Sequence, residues 1–323
     1  MRSNKFIVLV GPTSSGKTSK ALELCKKFNG EVISADSRQL YKGMDIGTGK
    51  LPLSADRVDV TKAGGHWDFN DTRVWMYDVV NPGEYFSALD FKNKAEVTID
   101  DVWKRAKVPF IVGGTGFYVE TLLGLKSVAN VSPNIKLREE LDKLSVAELS
   151  TKLKEIDPAA WGRVDKNNPR RLQRAIEVSN EKNRHSELDS ESSNWIPGQA
   201  RNDISHSLIL GFTAPHEILY PRADAWVDEA LKVGLVEETQ RLIDQGYGNT
   251  PQLNGLIYKV VKSYLADEVS ISEMPQLIKY QIHDYIRRQE TYFRKMPGVT
   301  WFDTTKKTFD EELTNKVESY LDG

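Results

Sequence analysis

The stretch "FIVLVGPTSSGKTSKALELCKKF", residues 6–28, decides the fold class. Five apolar residues, enough for one buried strand, lead into Gly11-x-x-x-x-Gly16-Lys17-Thr18. A run of helical period follows, with Ala21, Leu22, Cys25 and Phe28 on one face. Strand, glycine loop and helix are the context that the Walker A pattern requires. Such a loop, here Gly11, Pro12, Thr13, Ser14, Ser15 and Gly16, cradles phosphate with backbone N–H groups and a helix N-terminus. Lys17 adds a point charge, and the Thr18 hydroxyl can ligate Mg²⁺. The alternative, a glycine turn with no ligand, fits the flanking strand and helix poorly.

Outward from this loop, the first 120 residues alternate short apolar runs with helical patterns, the signature of βαβ units and a parallel sheet. "GEVISAD" gives a second strand ending at Asp36, "VWMYDVV" (74–80) a third, and "VPFIVGG" (108–114) a fourth. Between the second and third lies a glycine-rich segment, "KGMDIGTGK" through "KAGGHW", too long for an ordinary turn and of the size that is functional or mobile. After Leu123 the character becomes helical. "SPNIKLREELDKL" and "SVAELSTKLKEI" read as helices, the second opened by a capping box of Ser145 and Glu148. "NNPRRLQRAIEV" follows, with Asn168 as N-cap and Pro169 at the first helical position. Residues 181–206 are polar and read as a long, partly disordered loop. They also resemble peptides translated from dispersed palindromic repeats in some bacterial genomes, a tolerated surface insertion. "SLILGF" restores a strand at 207–212. Two long helical stretches close the chain, one of them a helix from 222 stopped by Gly246, the other with Ile278, Ile282, Tyr285 and Gln289 on one face.

The architecture expected is therefore α/β: a P-loop NTPase-like parallel sheet with helices on both faces, built from residues 1–122 and 207–323, with a helical insertion at 123–206. The 323 residues suit one such core with an added piece. A net charge of −2 gives no global basic field, so any nucleic acid must be attracted by local patches. Cys25 is the single cysteine, which excludes intramolecular disulfides and a cysteine-rich metal site and suits an apolar filler. No run approaches 18 apolar residues and no cleavable signal pattern opens the chain, so it reads as soluble and cytoplasmic, with no membrane partner.

A P-loop ATPase usually carries an acid at a strand end to help hold Mg²⁺. Here "VPFIV" ends in Gly113–Gly114–Thr115–Gly116 with no acid; the carboxylate appears instead as Asp36 in "SADSRQLY". That arrangement favours a transferase whose loop holds a diphosphate leaving group.

"GPTSSGKT", "SADSRQLYKGMDIGTGK", "GGTGFY", "NNPRRLQRAIEV", "GLVEETQRLIDQGY" and "RRQETYFRK", in that order over residues 6 to 295, together resemble the tRNA dimethylallyltransferases, also called tRNA isopentenyltransferases. The resemblance implies transfer of a dimethylallyl group from dimethylallyl diphosphate to the exocyclic amine of the adenosine just 3′ of the anticodon. It further implies Mg²⁺ as cofactor, the tRNA anticodon stem-loop as partner, and a monomer. Lys17 and a Thr18-bound Mg²⁺ would stabilise the departing diphosphate. Asp36 is carried over as the base that takes the amine proton; an N-cap or an acid behind the Mg²⁺ remains its alternative. Ser37, Arg38 and Gln39 would line the entry of a flipped base. Thr115 would touch the tRNA near the reaction centre, or else be a buried threonine in a tight turn. Arg138 would be a further tRNA contact, or a solvated helix charge.

From Arg163 to Arg174 there are five basic residues against one acid, a local surplus of four. Arg170, Arg171 and Arg174 can share a helix face, so the segment Arg170, Arg171, Leu172, Gln173 and Arg174 is the main tRNA-binding expectation outside the active site. Arg287, Arg288, Arg294 and Lys295, interleaved with Tyr292 and Phe293, form a second patch, in which the aromatics fit nucleotide stacking and core anchoring equally. The chain departs from the family pattern at Trp226, where a second arginine is usual after Arg222, and at Ile257 and Val260 around Tyr258–Lys259. His66 and Trp67 suit a core or lid role better than metal ligation. Prenylation of free adenine nucleotides and a nucleotide kinase or ATP-driven switch are the competing functions. The insertion and its basic patch argue against the first, and the missing acid against the second.

Overall fold

The computed structural model describes residues 4–51, 59–126, 128, 129, 131, 133–188 and 207–323. The strands are β1 (Phe6–Val10), β2 (Gly30–Ser34), β3 (Val60–Ala63), β4 (Gly65–Phe69), β5 (Thr72–Tyr77), β6 (Val108–Val112), β7 (Ser207–Thr213) and β8 (Thr300–Asp303). The helices before the second half of the sheet are α1 (Lys17–Phe28), α2 (Ala88–Lys104), α3 (Gly116–Leu122), α4 (Ile135–Leu141), α5 (Val146–Ile156), α6 (Pro158–Arg163) and α7 (Pro169–Leu188). Those after it are α8 (His216–Lys232), α9 (Leu235–Leu242), α10 (Leu256–Leu265), α11 (Met274–Phe293) and α12 (Phe309–Asp322). The chain divides into two compact units, Met1–Lys126 with Arg201–Gly323, and Ser127–Ala200.

The first unit is an α/β core around one eight-stranded sheet in the order β3-β4-β5-β2-β6-β1-β7-β8. From β5 to β8 every pairing is parallel. The central strands β1, β2 and β6 are buried at every position, which is why they read as continuous apolar runs rather than alternating ones. Ile7 and Leu9 face Ala21, Leu24 and Cys25 of α1 and Phe309 and Leu313 of α12. Helix α2, with Phe91, Ala95, Ile99 and Val102 buried, packs on β2 and β6. Parallel connections are right-handed, and α1 and α2 belong to crossovers that step in opposite directions along the sheet, so they cover opposite faces. Cys25 is an apolar filler, as its setting in the sequence indicates.

Sequence and structure part company in three places here. The glycine-rich segment contains β3 and β4, and β4 is antiparallel to both β3 and β5, so the sheet is mixed at one edge. The turn between β4 and β5 is Asn70–Asp71, with Asn70 left-handed at φ 49°, a hairpin signal the alternation of "GHWDF" and "TRVWMY" supports. Trp67 is fully buried against Tyr77, edge to face at 5.4 Å, and donates to Asp78 at 2.7 Å. The helix expected from 222 starts at His216 and breaks at Gly234, φ 109°, before α9 resumes. Helix α7 continues through Leu188, so the first part of the segment read as a polar loop is helical; 189–206 lie outside the described residues.

The second unit is helical. Leu141, Leu149, Leu153, Leu172 and Ile176 make its core. The capping box forms as read: Ser145 accepts from the Glu148 N–H, and Glu148 from the Ser145 N–H. Asn168 accepts from the Arg171 N–H at 3.2 Å, closing the first turn of α7. Among the described residues no helix is long and apolar enough to cross a membrane.

Candidate active site

The loop after β1 has the backbone that its residue types anticipate. Gly11 lies at φ 142°, and a Cβ there would collide with the Phe212 carbonyl of β7, so no other residue fits. The Lys17 ammonium is buried and donates to the Pro12 carbonyl at 2.6 Å and to Ser15 Oγ at 3.4 Å. Burial lowers its pKa to about 8, against the pull of the Asp36 charge, which raises it. The Thr13 N–H is held by Gln289 Oε1 of α11 at 2.8 Å.

Asp36 stands just past the end of β2. Its position is set by the neighbouring strand end: the Ala35 N–H donates to the Val112 carbonyl at 2.8 Å, and the Thr115 N–H to the Ala35 carbonyl at 3.1 Å. A Cβ on Gly113 would strike that same Ala35 carbonyl, so the glycine permits this close approach. Asp36 Oδ1 accepts from the Arg38 N–H at 2.9 Å. The surrounding protein raises the Asp36 pKa by desolvation, with Arg38 and Lys17 opposing. Thr115 Oγ1 accepts from the Ser37 N–H at 2.9 Å, and its hydroxyl reaches Ser37 Oγ at 3.2 Å. Gln39 accepts from Ser34 Oγ at 2.6 Å and donates to the Thr48 carbonyl at 3.1 Å; Arg38 reaches the Gln252 carbonyl at 3.3 Å.

These groups open onto one cavity of about 560 Å³. Thr13, Ser14, Gly16, Lys17 and Thr18 line it, as do Asp36, Arg38 and Gln39. Its apolar wall comes from Leu22, Leu51, Phe69, Val74, Ile257 and Ile282, with Trp226, Tyr285 and Arg222 also on the lining. One chamber therefore joins a cationic phosphate cradle, a carboxylate of raised basicity and a hydrocarbon surface.

The segment 45–51 on this wall is held from behind. Glu238 of α9, 1% exposed, accepts from the N–H groups of Asp45, Ile46 and Gly47 at 2.8–3.0 Å and from the Tyr258 hydroxyl at 2.7 Å. Burial and the Glu238 charge hold the Tyr258 phenol protonated, its pKa well above the ordinary value. Lys50, fully buried, donates to Asp45 at 3.0 Å, Asp78 at 2.6 Å and the Tyr41 carbonyl at 2.6 Å.

Comparison with known proteins gives this site a family. The model described as IPP transferase matches residues 39–296, and the one described as isopentenyl transferase matches residues 4–62. The chain belongs to the IPP transferase family. It is 34% identical to a tRNA dimethylallyltransferase of Anoxybacillus flavithermus, over 99% of this chain and 96% of that protein. It is 36% identical to one from Acetivibrio thermocellus, over 98% and 97%. The full-length tRNA isopentenylpyrophosphate transferase of Bacillus halodurans superposes with a TM-score of 0.67 at 31% identity, over 99% of this chain and 97% of that one.

The structure gathers Lys17, Thr18, Asp36, Arg38 and Gln39 on one chamber and puts Ser37 and Thr115 in direct contact behind Asp36. The insertion residues behave differently. Leu172 is a correction: its side chain is fully buried in the core of the second unit and offers nothing to a ligand. Arg138 and Arg174 both bind Glu177, itself 3% exposed, at 2.7 and 3.1 Å; Arg174 also donates to the Val131 carbonyl at 2.7 Å. These pairs hold the carboxyl of Glu177 below its ordinary pKa, offsetting its desolvation. Gln173 donates to Asp142 at 2.8 Å, which leaves Arg170 and Arg171 exposed, the latter 3.5 Å from Asp165. In the second patch Phe293 is core and Tyr292 donates to Glu120, so anchoring is the reading that holds for this pair. His66 packs on Trp75 at 4.9 Å, and among the described residues no cluster of three His, Cys, Asp or Glu could hold a metal. The reading of the sequence missed Glu238 and Lys50 as loop anchors, and Gln289 as the partner of the phosphate loop. Each works through backbone far away in the chain, which no local pattern announces.

Proposed function

We propose that the chain transfers a dimethylallyl group from dimethylallyl diphosphate to the exocyclic amine of the adenosine just 3′ of the anticodon in tRNA, releasing diphosphate. The shared cavity carries the reading: a phosphate cradle and a hydrocarbon wall suit the two ends of one isoprenoid diphosphate, with Asp36 beside them. The names of the relatives support tRNA as acceptor.

The chemistry follows from the residues. As the allylic carbon–oxygen bond breaks, negative charge grows on the diphosphate, where Lys17 and the loop N–H groups stabilise it. The amine nitrogen forms the new carbon–nitrogen bond and Asp36 accepts its proton. A carboxylate of raised pKa is the stronger base for a weakly nucleophilic amine. Thr18 lies on the cavity lining next to Lys17 and is the protein ligand available to a Mg²⁺ carried by the diphosphate oxygens; a metal that keeps most of its sphere as water and phosphate fits this single hydroxyl. Bound there, the ion would neutralise charge on the leaving group. Exposed Arg170 and Arg171 would meet the phosphate backbone of the anticodon stem-loop. The chain would act as a cytoplasmic monomer.

The test is mass spectrometry of nucleosides from unmodified tRNA incubated with the protein, dimethylallyl diphosphate and Mg²⁺. Dimethylallyladenosine from the anticodon loop and stoichiometric diphosphate are expected. ADP and phosphate from ATP, with no prenylated nucleoside, would overturn the proposal.

A further inference from the structure

Helix α11 passes beneath both halves of the reaction chamber, and one side chain on it touches both. Gln289 is 4% exposed, and both ends of its amide are engaged: Oε1 accepts from the Thr13 N–H at 2.8 Å, and Nε2 donates to the Gly114 carbonyl at 3.1 Å. Thr13 is on the donor side, in the phosphate loop; Gly114 belongs to the turn behind the acid. The amide occupies the space a Gly114 Cβ would fill, and Asp36 Oδ2 lies 3.6 Å from that same point. Gln289, Gly114 and Asp36 therefore form one packed contact, with the phosphate loop fastened to its far side.

We propose that Gln289 is a positioning residue for the transfer, its amide fixing the phosphate loop relative to Asp36 and so the gap the prenyl carbon crosses. The inference rests on the prenyl-transfer reading above. Anchoring of the helix does not require this residue, because Ile278, Ile282, Ile286 and Phe293 of α11 are already buried. A buried amide is costly unless both ends are satisfied. Glutamine is the neutral side chain of this length that accepts at one end and donates at the other. An apolar replacement leaves the Thr13 N–H and the Gly114 carbonyl without this link. Glutamate keeps the acceptor for Thr13 but, ionised, loses the donor to Gly114 and brings a negative charge toward Asp36.

Two variants, Gln289→Met and Gln289→Glu, test this in the full chain with tRNA and dimethylallyl diphosphate. A shift of the loop by about 1 Å should lower kcat of Gln289→Met on the order of 10–100-fold, with the donor KM moving less than about threefold. In Gln289→Glu the acid limb of the pH–rate profile should move up by about one unit, since a like charge disfavours ionised Asp36. The groups facing Asp36 are Lys17, Arg38 and the phenols of Tyr77, Tyr118 and Tyr285. Both variants leave Lys17, Arg38, Tyr77 and Tyr118 untouched, while Tyr285 loses its contact with the Gln289 amide; a purely structural role for Gln289 would lower Tm without separating kcat from the donor KM. Gln289→Met with kcat within about threefold of the parent, or an unmoved acid limb in Gln289→Glu, overturns the proposal. Should Gln289→Met lose its melting transition, Gln289→Glu decides alone. Absence of turnover by the parent chain would sink the transfer reading and this inference together; parental turnover with unperturbed variants sinks only this inference.

Discussion

Replacing Glu238 by glutamine changes one atom and should loosen a wall of the reaction chamber. The carboxylate accepts four hydrogen bonds, two at each oxygen: the Asp45 and Ile46 N–H groups at Oε2, the Gly47 N–H and Tyr258 O–H at Oε1. A glutamine can offer an oxygen to one pair only. With its NH₂ toward Oε1's partners, the Tyr258 hydroxyl can turn and accept, but the Gly47 N–H cannot. That leaves one buried N–H unpaired, costing about 1–3 kcal/mol, and removes charge assistance from the two bonds that survive, about 1 kcal/mol each. The sum is about 3–5 kcal/mol, or a fall in Tm of roughly 6 °C or more for a unit of this size. The same change frees Gly47–Leu51, which line the cavity, so turnover should drop with stability. Thermal melts of the purified variant beside nucleoside mass spectrometry provide the check. A Tm within about 1 °C of the parent and full turnover would refute the argument, because three backbone N–H groups would then need no anion behind them.

Other outcomes follow from the same geometry. Asp36→Asn removes the base without removing bulk, so kcat should fall about 10²–10⁴-fold while tRNA affinity, read by filter binding, holds. Because desolvation raises the Asp36 pKa, the acid limb of the parent's kcat/KM profile should lie above the ordinary aspartate range; activity is present above that raised value and lost as pH falls through it. Arg170→Ala and Arg171→Ala should each weaken tRNA binding and reduce its salt slope by about one while leaving Tm unchanged, whereas Leu172→Ala should cost about 2–5 kcal/mol of the insertion's stability. Glu31, bound by Arg105, Lys107 and the Trp75 indole, has its pKa lowered to about 2; its contribution to stability is present above the usual glutamate range and disappears as pH falls toward about 2, which acid titration of unfolding in parent and Glu31→Gln would show.

What could be read from the sequence was whatever short segments encode by themselves. The phosphate loop, the buried strands and the Ser145–Glu148 capping box each depend on residues within a few positions, and they formed as read. The hairpin of β4 and β5 was also written locally, in Asn70–Asp71 between two alternating runs, but the glycines before it drew attention to a loop. Contacts that join distant parts were illegible in principle. Glu238 reads as a first-turn helix acid, a role complete in itself, until 191 residues of chain bring the Gly47 N–H to it. Gln289 lies 276 residues from Thr13. The basic run at 163–174 shows a related limit: charge counting cannot tell an arginine facing solvent, such as Arg170, from Arg174, whose guanidinium is occupied by Glu177 and two backbone carbonyls.

The carboxylates of the fold make the case for Asp36 by contrast. Glu31 and Glu177 are sealed from solvent and each receives two cationic partners, which hold its pKa below the ordinary value. Glu238 receives four donors and serves as an anchor. Asp36 is desolvated as well, yet its donors are backbone N–H groups, and Lys17 acts on it through space while donating its own hydrogen bonds to Pro12 and Ser15. A carboxylate meant only to hold the fold together would be better served by the Glu31 arrangement. Withholding a cationic partner from Asp36, on the lining of a chamber that also carries the phosphate loop, keeps its affinity for a proton high where a proton has to be taken.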